Sequence, residues 1–261
     1  MLKARFFTAL LLVTGLLAIL FLLPPNIAAL VFIPVVSLGG WEWGGLMRRS
    51  RARRAGFVFA LTLGCLLVWL AAPESFVWLW AVAALFWLGL VPVWLYRGWP
   101  LQRHGLFAGF LVLLPAWAGL TALLTRDPWL LLAVMAAVWV ADIAAYAAGR
   151  TFGRHKLAPT ISPGKTWEGA AGAALAALLY GWLVSPWLPQ LRGLGAGALA
   201  ASLLLLVAMS IVGDLFESLA KRQAGQKDSG ELLPGHGGVL DRIDSLTPTL
   251  PLAALALHFS A

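Results

Sequence analysis

Two polar stretches of this chain carry residue types suited to holding phosphate. The longer runs from Asp214 to Ser245 and opens Asp214-Leu-Phe-Glu-Ser-Leu-Ala-Lys-Arg. On a helix, Asp214, Ser218, Lys221 and Arg222 recur at three- and four-residue spacing and share a face. A carboxylate beside a hydroxyl and two cations suits a metal-bound phosphate; a solvated helix end is the plainer alternative. Lys227-Asp228-Ser229-Gly230 follows, then Pro234-Gly235-His236-Gly237-Gly238. Glycines this dense let the backbone approach a ligand and turn N–H groups toward anions, although such a loop alone could be a connector. Asp241 and Asp244 flank Arg242 at a spacing that lets both carboxylates face one point. Paired hard oxygen ligands, with phosphate completing the shell, describe a Mg²⁺ site. His236 is then a phosphate or ribose contact, or a structural residue, because Mg²⁺ prefers oxygen.

The second stretch runs from Asp142 to Gly169. Asp142 and Tyr146 lie four apart on one helix face near the end of an apolar run. A carboxylate within a membrane span is costly, which makes it functional by default; a snorkelling side chain is the structural alternative. After Arg150, Arg154 and Lys156 comes Ser162-Pro163-Gly164-Lys165-Thr166-Trp167-Glu168-Gly169. Gly-Lys-Thr invites a P-loop, but that pattern needs a glycine five residues ahead of Gly164. Pro159 stands there, and no strand is expected before it. The P-loop is rejected, and Lys165 and Thr166 remain candidate phosphate contacts.

What must position these residues is set by composition. Of 261 residues, 61% are apolar and 11% charged, with a mean hydropathy of +0.86. A soluble domain carries about 25% charged residues, so a water-soluble surface cannot be built from this supply. A hydrocarbon core about 30 Å thick needs roughly 20 apolar residues per helix. Eight runs satisfy this: Phe6 to Leu23, Ile27 to Met47, Gly56 to Ala72, Phe76 to Leu95, Gly105 to Leu124, Trp129 to Gly149, Ala170 to Leu188 and Leu194 to Val212. A ninth, from Leu246 onward, is short and broken by Pro248 and Pro251. The expected fold is an all-α polytopic bundle of eight or nine spans forming one membrane domain over 1–261. Residues 1–128 supply N-terminal helices, and 129–261 carry the motifs. The first run follows Lys3 and Arg5 like a signal peptide, yet Pro24-Pro25-Asn26 is no small-residue cleavage site, so it reads as a retained helix. Lone Cys65, among Leu and Val, reads as a small buried hydrophobe. The many Trp residues, such as Trp41, Trp43, Trp99 and Trp129, read as interfacial belts.

Basic residues set the orientation. Of the 19 Lys and Arg, all but Arg126 and Arg192 fall in alternate loops, with Arg48, Arg49, Arg51, Arg53 and Arg54 in one of them. The positive-inside rule then places the N-terminus and both polar stretches in the cytoplasm, in the inner membrane. Among acidic residues only Glu74 and Asp127 lie in the opposite loops. Acidic residues influence topology little, so their gathering on one face needs another cause, and a cation site supplies it. The formal charge of +8 fits an anionic lipid surface rather than nucleic acid in so apolar a chain.

The stretch from Ser218-Leu-Ala-Lys-Arg through Lys227-Asp228 to Pro234-Gly-His-Gly-Gly-Val-Leu-Asp-Arg-Ile-Asp244 resembles the signature of the phosphatidate cytidylyltransferases. Ser-Pro-x-Lys-Thr-Trp-Glu-Gly and Asp142 with Tyr146 are similar to further motifs of that family. Two positions depart: Ala220, where a larger apolar residue is usual, and Gly164, where Lys or Asn is common. The resemblance implies transfer of a cytidylyl group from CTP to phosphatidic acid, giving CDP-diacylglycerol and pyrophosphate. It implies Asp214, Asp241 and Asp244 as metal ligands, with Asp142 and Asp228 behind them, and Mg²⁺ with room for a second cation. Lys165, Lys221, Arg222, Lys227 and Arg242 would neutralise phosphates. Ser218, Thr166, Asp228, His236, Gly237 and Gly238 would contact substrate. A homodimer is left open. Three rivals stand beside this reading. A CDP-alcohol phosphatidyltransferase needs an Asp-Gly-x₂-Ala-Arg pattern that is absent. A CTP-dependent polyprenol or phytol kinase uses similar acidic loops. A cation-coupled transporter would spread its acids through the bilayer depth. A reporter inserted near Arg51 or Gly225 should read cytoplasmic and one near Asp127 the other side; the reverse result would overturn the orientation.

Overall fold

The computed structural model describes residues 2–71, 77–233 and 235–259; Ala72, Glu74, Phe76 and Pro234, named above, lie outside them. Helices occupy each apolar run: α1 (Leu2–Leu22), α2 (Pro25–Leu46), α3 (Arg51–Leu70), α4 (Val77–Leu85) continued by α5 (Val91–Arg97), α6 (Gly105–Arg126), α7 (Pro128–Phe152), α8 (Trp167–Val184) and α9 (Ala196–Ala224). Seven of these spans are long and apolar enough to cross a bilayer, and Phe7–Leu22 is a shorter apolar helix. Helices are the expected solution, because hydrocarbon offers no partner for an open backbone N–H or C=O. The chain ends in short α10 (Leu240–Ile243) and α11 (Leu246–Phe259).

Several boundaries differ from the sequence reading. α3 starts at Arg51, so Arg51, Arg53 and Arg54 form its first turn instead of a loop, and Arg54 stacks over Trp41, 4.1 Å from the ring centre. Between α4 and α5 the helix widens into a π turn over Phe86–Leu90. Pro92, lacking an N–H and crowding the preceding turn, accounts for it. The all-α expectation also missed a two-stranded antiparallel hairpin of β1 (Lys156–Ala158) and β2 (Ser162–Thr166). A strand therefore does precede Gly164-Lys165-Thr166. The P-loop is still excluded, since Pro159 replaces its first glycine and Gly164-Lys165-Thr166 lie in the hairpin's second strand, not in a loop.

Trp43 is not interfacial. It is 1% exposed, donates from Nε1 to the Gly105 carbonyl at 2.6 Å, and packs on Phe216 of α9 with ring centres 5.9 Å apart. Phe86, Trp87 and Trp94 close around the same Phe216 at 5.7–5.8 Å. This aromatic core fixes α9 against α2 and the α4–α5 span, one residue from Glu217. Trp129, by contrast, is exposed as a belt residue should be. Cys65 is buried and free.

The contacts of the polar ends divide as the basic residues do. At one end, Arg48 donates to the last carbonyls of α9, 3.1 Å from Ala224 O, and Gln223 joins Trp99 O and Leu101 N. At the other, Gln190 donates to Asp127 and Arg126 to Leu257 O. α11 runs between the two ends, buried from Leu246 to Ala254 and exposed at Phe259.

Bare backbone makes this packing possible. A Cβ on Gly119 would lie 2.7 Å from the Leu250 carbonyl, and one on Gly213 would lie 2.5 Å from the Asp244 carbonyl. Small residues permit such approaches between membrane helices. Gly213→Ala should therefore part α9 from Asp244 and lower stability by about 1–3 kcal/mol, the usual cost of overpacking. Gly197→Ala, with nothing within 4 Å, should be neutral or slightly stabilising in the same thermal-inactivation assay.

Candidate active site

α9 carries the centre of the site. Asp214 accepts from Ser218 Oγ at 3.1 Å, one turn on, and its other oxygen pairs with Lys165 Nζ of β2 at 2.9 Å. One turn further, Lys221 Nζ lies between Glu217 Oε2 at 2.7 Å and Asp241 Oδ1 at 2.6 Å. The helix spacing predicted that Asp214, Ser218 and Lys221 share a face, and they do. Arg222, predicted on the same face, donates to the Ile161 carbonyl at 3.4 Å, in the hairpin that also brings Lys165 to Asp214.

Asp241 organises the loop that follows. Its Oδ2 accepts from Ser229 N and Oγ, both at 2.9 Å, and from Gly238 N at 2.8 Å. Gly237 must be glycine here: its φ is +80°, and a Cβ would lie 2.8 Å from that same oxygen. Burial pushes the Asp241 carboxyl upward, but Lys221 and the two backbone N–H donors outweigh it and hold the group below its ordinary value.

Asp244 is the opposite case. Burial, reinforced by the negative charge of Asp214, pushes its carboxyl up to about 7. Its Oδ1 accepts from its neighbour Ser245 N at 2.7 Å, and the carboxyl lies within hydrogen-bonding reach of Glu217. Asp142 of α7 accepts from Ser210 of α9 at 3.1 Å and lies within electrostatic reach of Asp214 and Lys165. Tyr146 instead pairs with Arg150 at 2.8 Å. Five carboxylates (Asp142, Asp214, Glu217, Asp241, Asp244) thus share two ammonium groups (Lys165, Lys221).

That surplus tests the fit of a divalent cation. Glu217 is 3% exposed, and its Oε1 is buried with no hydrogen-bond partner. Among the described residues no group of three potential ligands is close enough to hold a metal unaided. Mg²⁺ does not need one, since it is usually held by one or two carboxylates plus water and phosphate oxygens. The donor set, all oxygen and short of positive charge, fits it.

The remaining predicted residues separate into two groups. Lys227, Asp228, His236, Gly237 and Arg242 line one polar cleft of about 540 Å³ with Glu231 and Leu233. Arg242 donates to the His236 carbonyl at 3.0 Å, and His236 Nδ1 is buried without a partner. Thr166 faces inward instead. Its Oγ1 accepts from Gly169 N at 3.1 Å and caps α8, as a threonine at an N-cap does.

Sequence reasoning passed over Glu217, Ser229 and Glu42 as site members. Glu217 lies four residues before Lys221, a helix ion-pair spacing that was visible. Glu42 is a charge within an apolar run, and the rule applied to Asp142 should have flagged it too. Ser229 carried no signal, because its role depends on a fold-back of the loop.

A helix bundle that gathers carboxylates, ammonium groups and a glycine-rich cleft at one end is a membrane-embedded enzyme built to handle phosphates. The chain belongs to the cytidylyltransferase family, whose model matches residues 3–260. A phosphatidate cytidylyltransferase of Pseudomonas aeruginosa is 45% identical, over 98% of this chain and 97% of its own length. The phosphatidate cytidylyltransferase of Haemophilus influenzae is 37% identical over 99% of both chains. One of Brucella suis is 48% identical across 63% of this chain and 58% of its own.

The raised Asp244 carboxyl has a stability consequence. Between the unfolded value, about 3.9, and the folded value, about 7, the folded state holds a proton that the unfolded state has lost. Its contribution is therefore complete below about pH 4 and is lost as pH rises through about 7. In EDTA, the wild-type protein should lose more thermal stability from pH 5 to pH 8 than Asp244→Asn does. Parallel pH profiles for the two would show that Asp244 does not titrate in this range.

Proposed function

We propose that this chain transfers a cytidylyl group from CTP to phosphatidic acid, releasing pyrophosphate and CDP-diacylglycerol at the cytoplasmic face of the inner membrane. The observation that supports this most is the meeting of Asp214, Asp244 and the unbonded Glu217 Oε1 with Lys165 and Lys221, beside the polar cleft. The basic residues clustered at that end support the cytoplasmic orientation through the positive-inside rule.

The chemistry asks for little acid or base. A phosphate monoester is already mostly anionic at neutral pH, its second pKa lying near 6, so its oxygen can attack the α-phosphorus of CTP without a strong base. The obstacle is bringing anions together and spreading charge as the P–O bond to pyrophosphate breaks, which is a task for fixed positive groups. Lys165 and Lys221 each have three N–H donors. Two are used in each case, by Asp214 and Ile211 O for Lys165 and by Glu217 and Asp241 for Lys221. One donor on each remains for a phosphate. Asp214 and Asp244 would hold Mg²⁺, with Asp142 and Asp241 behind them, and the ion would supply charge neutralisation at the reacting phosphates.

The cleft of Lys227, Asp228, His236 and Arg242 would receive the nucleotide. A lipid phosphate entering at the helix ends keeps its acyl chains in the bilayer. Arg222 uses only Nε on the Ile161 carbonyl, which leaves the four N–H groups of its two Nη atoms for a phosphate.

Purified protein given labelled CTP and phosphatidic acid should form CDP-diacylglycerol and pyrophosphate, lose turnover in EDTA and regain it with Mg²⁺. Asp214→Asn and Asp244→Asn should each lower kcat by about 10²–10³, the scale of a lost transition-state contact. Release of CDP with a phosphorylated lipid would show a CTP-dependent lipid kinase instead.

A further inference from the structure

The geometry points to Glu42 of α2 as a positioning residue for cytidylyl transfer, one that sets the catalytic loop from outside the signature segment. Its carboxylate is 6% exposed and has no cationic partner among the described salt bridges. Arg54 lies within electrostatic reach of it, but all its hydrogen bonds run to the loop. Oε1 accepts from Val239 N at 3.1 Å, and Oε2 accepts from Leu240 N at 2.8 Å and Ser229 Oγ at 3.1 Å. A buried carboxylate is tolerated where donors satisfy it, and here every donor belongs to residues 229–240.

Those donors place Glu42 in line with the chemistry. Val239 and Leu240 begin α10, the helix that carries Asp241 and leads to Asp244, so the carboxylate fixes where that helix starts. The hydroxyl of Ser229 lies between Glu42 Oε2 and Asp241 Oδ2, with a single proton to share between two acceptors. From Asp241 the chain of contacts passes to Lys221 and Glu217. The loop glycines are fitted to the same carboxylate. A Cβ on Gly230 would come 2.5 Å from Glu42 Oε1, and one on Gly238 would come 2.5 Å from Oε2. Glu42 touches neither reacting phosphate; it acts through Asp241 and Asp244, and so rests on their place in the site.

The test uses full-length protein in detergent with CTP and phosphatidic acid. Glu42→Gln keeps the shape but turns an N–H donor toward the donors of Val239 or Leu240. It should lower kcat by about 10–100-fold, the usual effect of losing a partner that orients a ligand, with the KM for phosphatidic acid changed by less than about twofold. Glu42→Asp, which restores the charge, should recover part of that turnover. Leu61→Ala, a buried α3 residue, should lower Tm while leaving kcat per folded molecule unchanged. Wild-type kcat in Glu42→Gln, or a loss no larger than that of Leu61→Ala at equal Tm, overturns the proposal. Should Glu42→Gln fail to fold, Gly230→Ala crowds the same carboxylate from the loop side. The kcat-selective loss is expected there, and wild-type turnover overturns the proposal. Asp244→Asn is measured alongside: retained turnover overturns the carboxylate assignment beneath the proposal, whereas its loss with normal Glu42→Gln turnover overturns Glu42 alone.

Discussion

The ammonium of Lys221, held at 2.6 and 2.7 Å between Asp241 and Glu217, is the contact on which the polar end of this bundle depends. Taking three charged groups out of water costs several kcal/mol per ion, and only close geometry with further hydrogen bonds offsets it. Both conditions hold at Asp241, where Ser229 and Gly238 complete the carboxylate's shell. The arrangement joins two parts of the chain with no apolar reason to meet: a membrane helix and a glycine-rich loop. Removing Lys221 would leave two buried carboxylates facing one another, so the loop's position and the helix's charge stand or fall together.

Around that contact the site is deliberately short of positive charge. Asp244 has no ammonium group of its own, Glu217 shares Lys221 with Asp241, and Lys165 is engaged with Asp214. A protein that had to be stable without ligands would place another cation there. Under the proposed function, the carboxylate oxygens left open would serve a metal ion and the phosphates of a nucleotide and a lipid. The raised Asp244 carboxyl and the unbonded Glu217 oxygen are two signs of the same shortage.

The N-terminal helices contribute more than spans. Trp43 and the π-turn aromatics clamp Phe216, next to Glu217. Arg48 closes the end of α9, and Glu42 holds the start of α10. Residues 129–261 carry the motif residues, but their geometry is set against helices from the first half. The family likeness likewise runs over nearly the whole chain.

The sequence by itself determined the membrane class, the positions of the helices, and the shared face of Asp214, Ser218 and Lys221. Each follows from local rules: apolar run length, and the 3.6-residue period. It also marked the glycine-rich segment, since dense glycine and paired aspartates are legible as spacing. Only the tertiary structure decided that Arg222 engages the hairpin, that Thr166 caps α8, and that Trp43 belongs to the core and not to an interfacial belt. The hairpin at 156–166, short and polar, gave no alternation to read. Glu42 was legible as a charge in an apolar run, but its partners, like the role of Ser229, were not. Their hydrogen bonds span up to 198 residues of sequence, and no pattern in a single sequence reports which distant backbone N–H a buried carboxylate will meet.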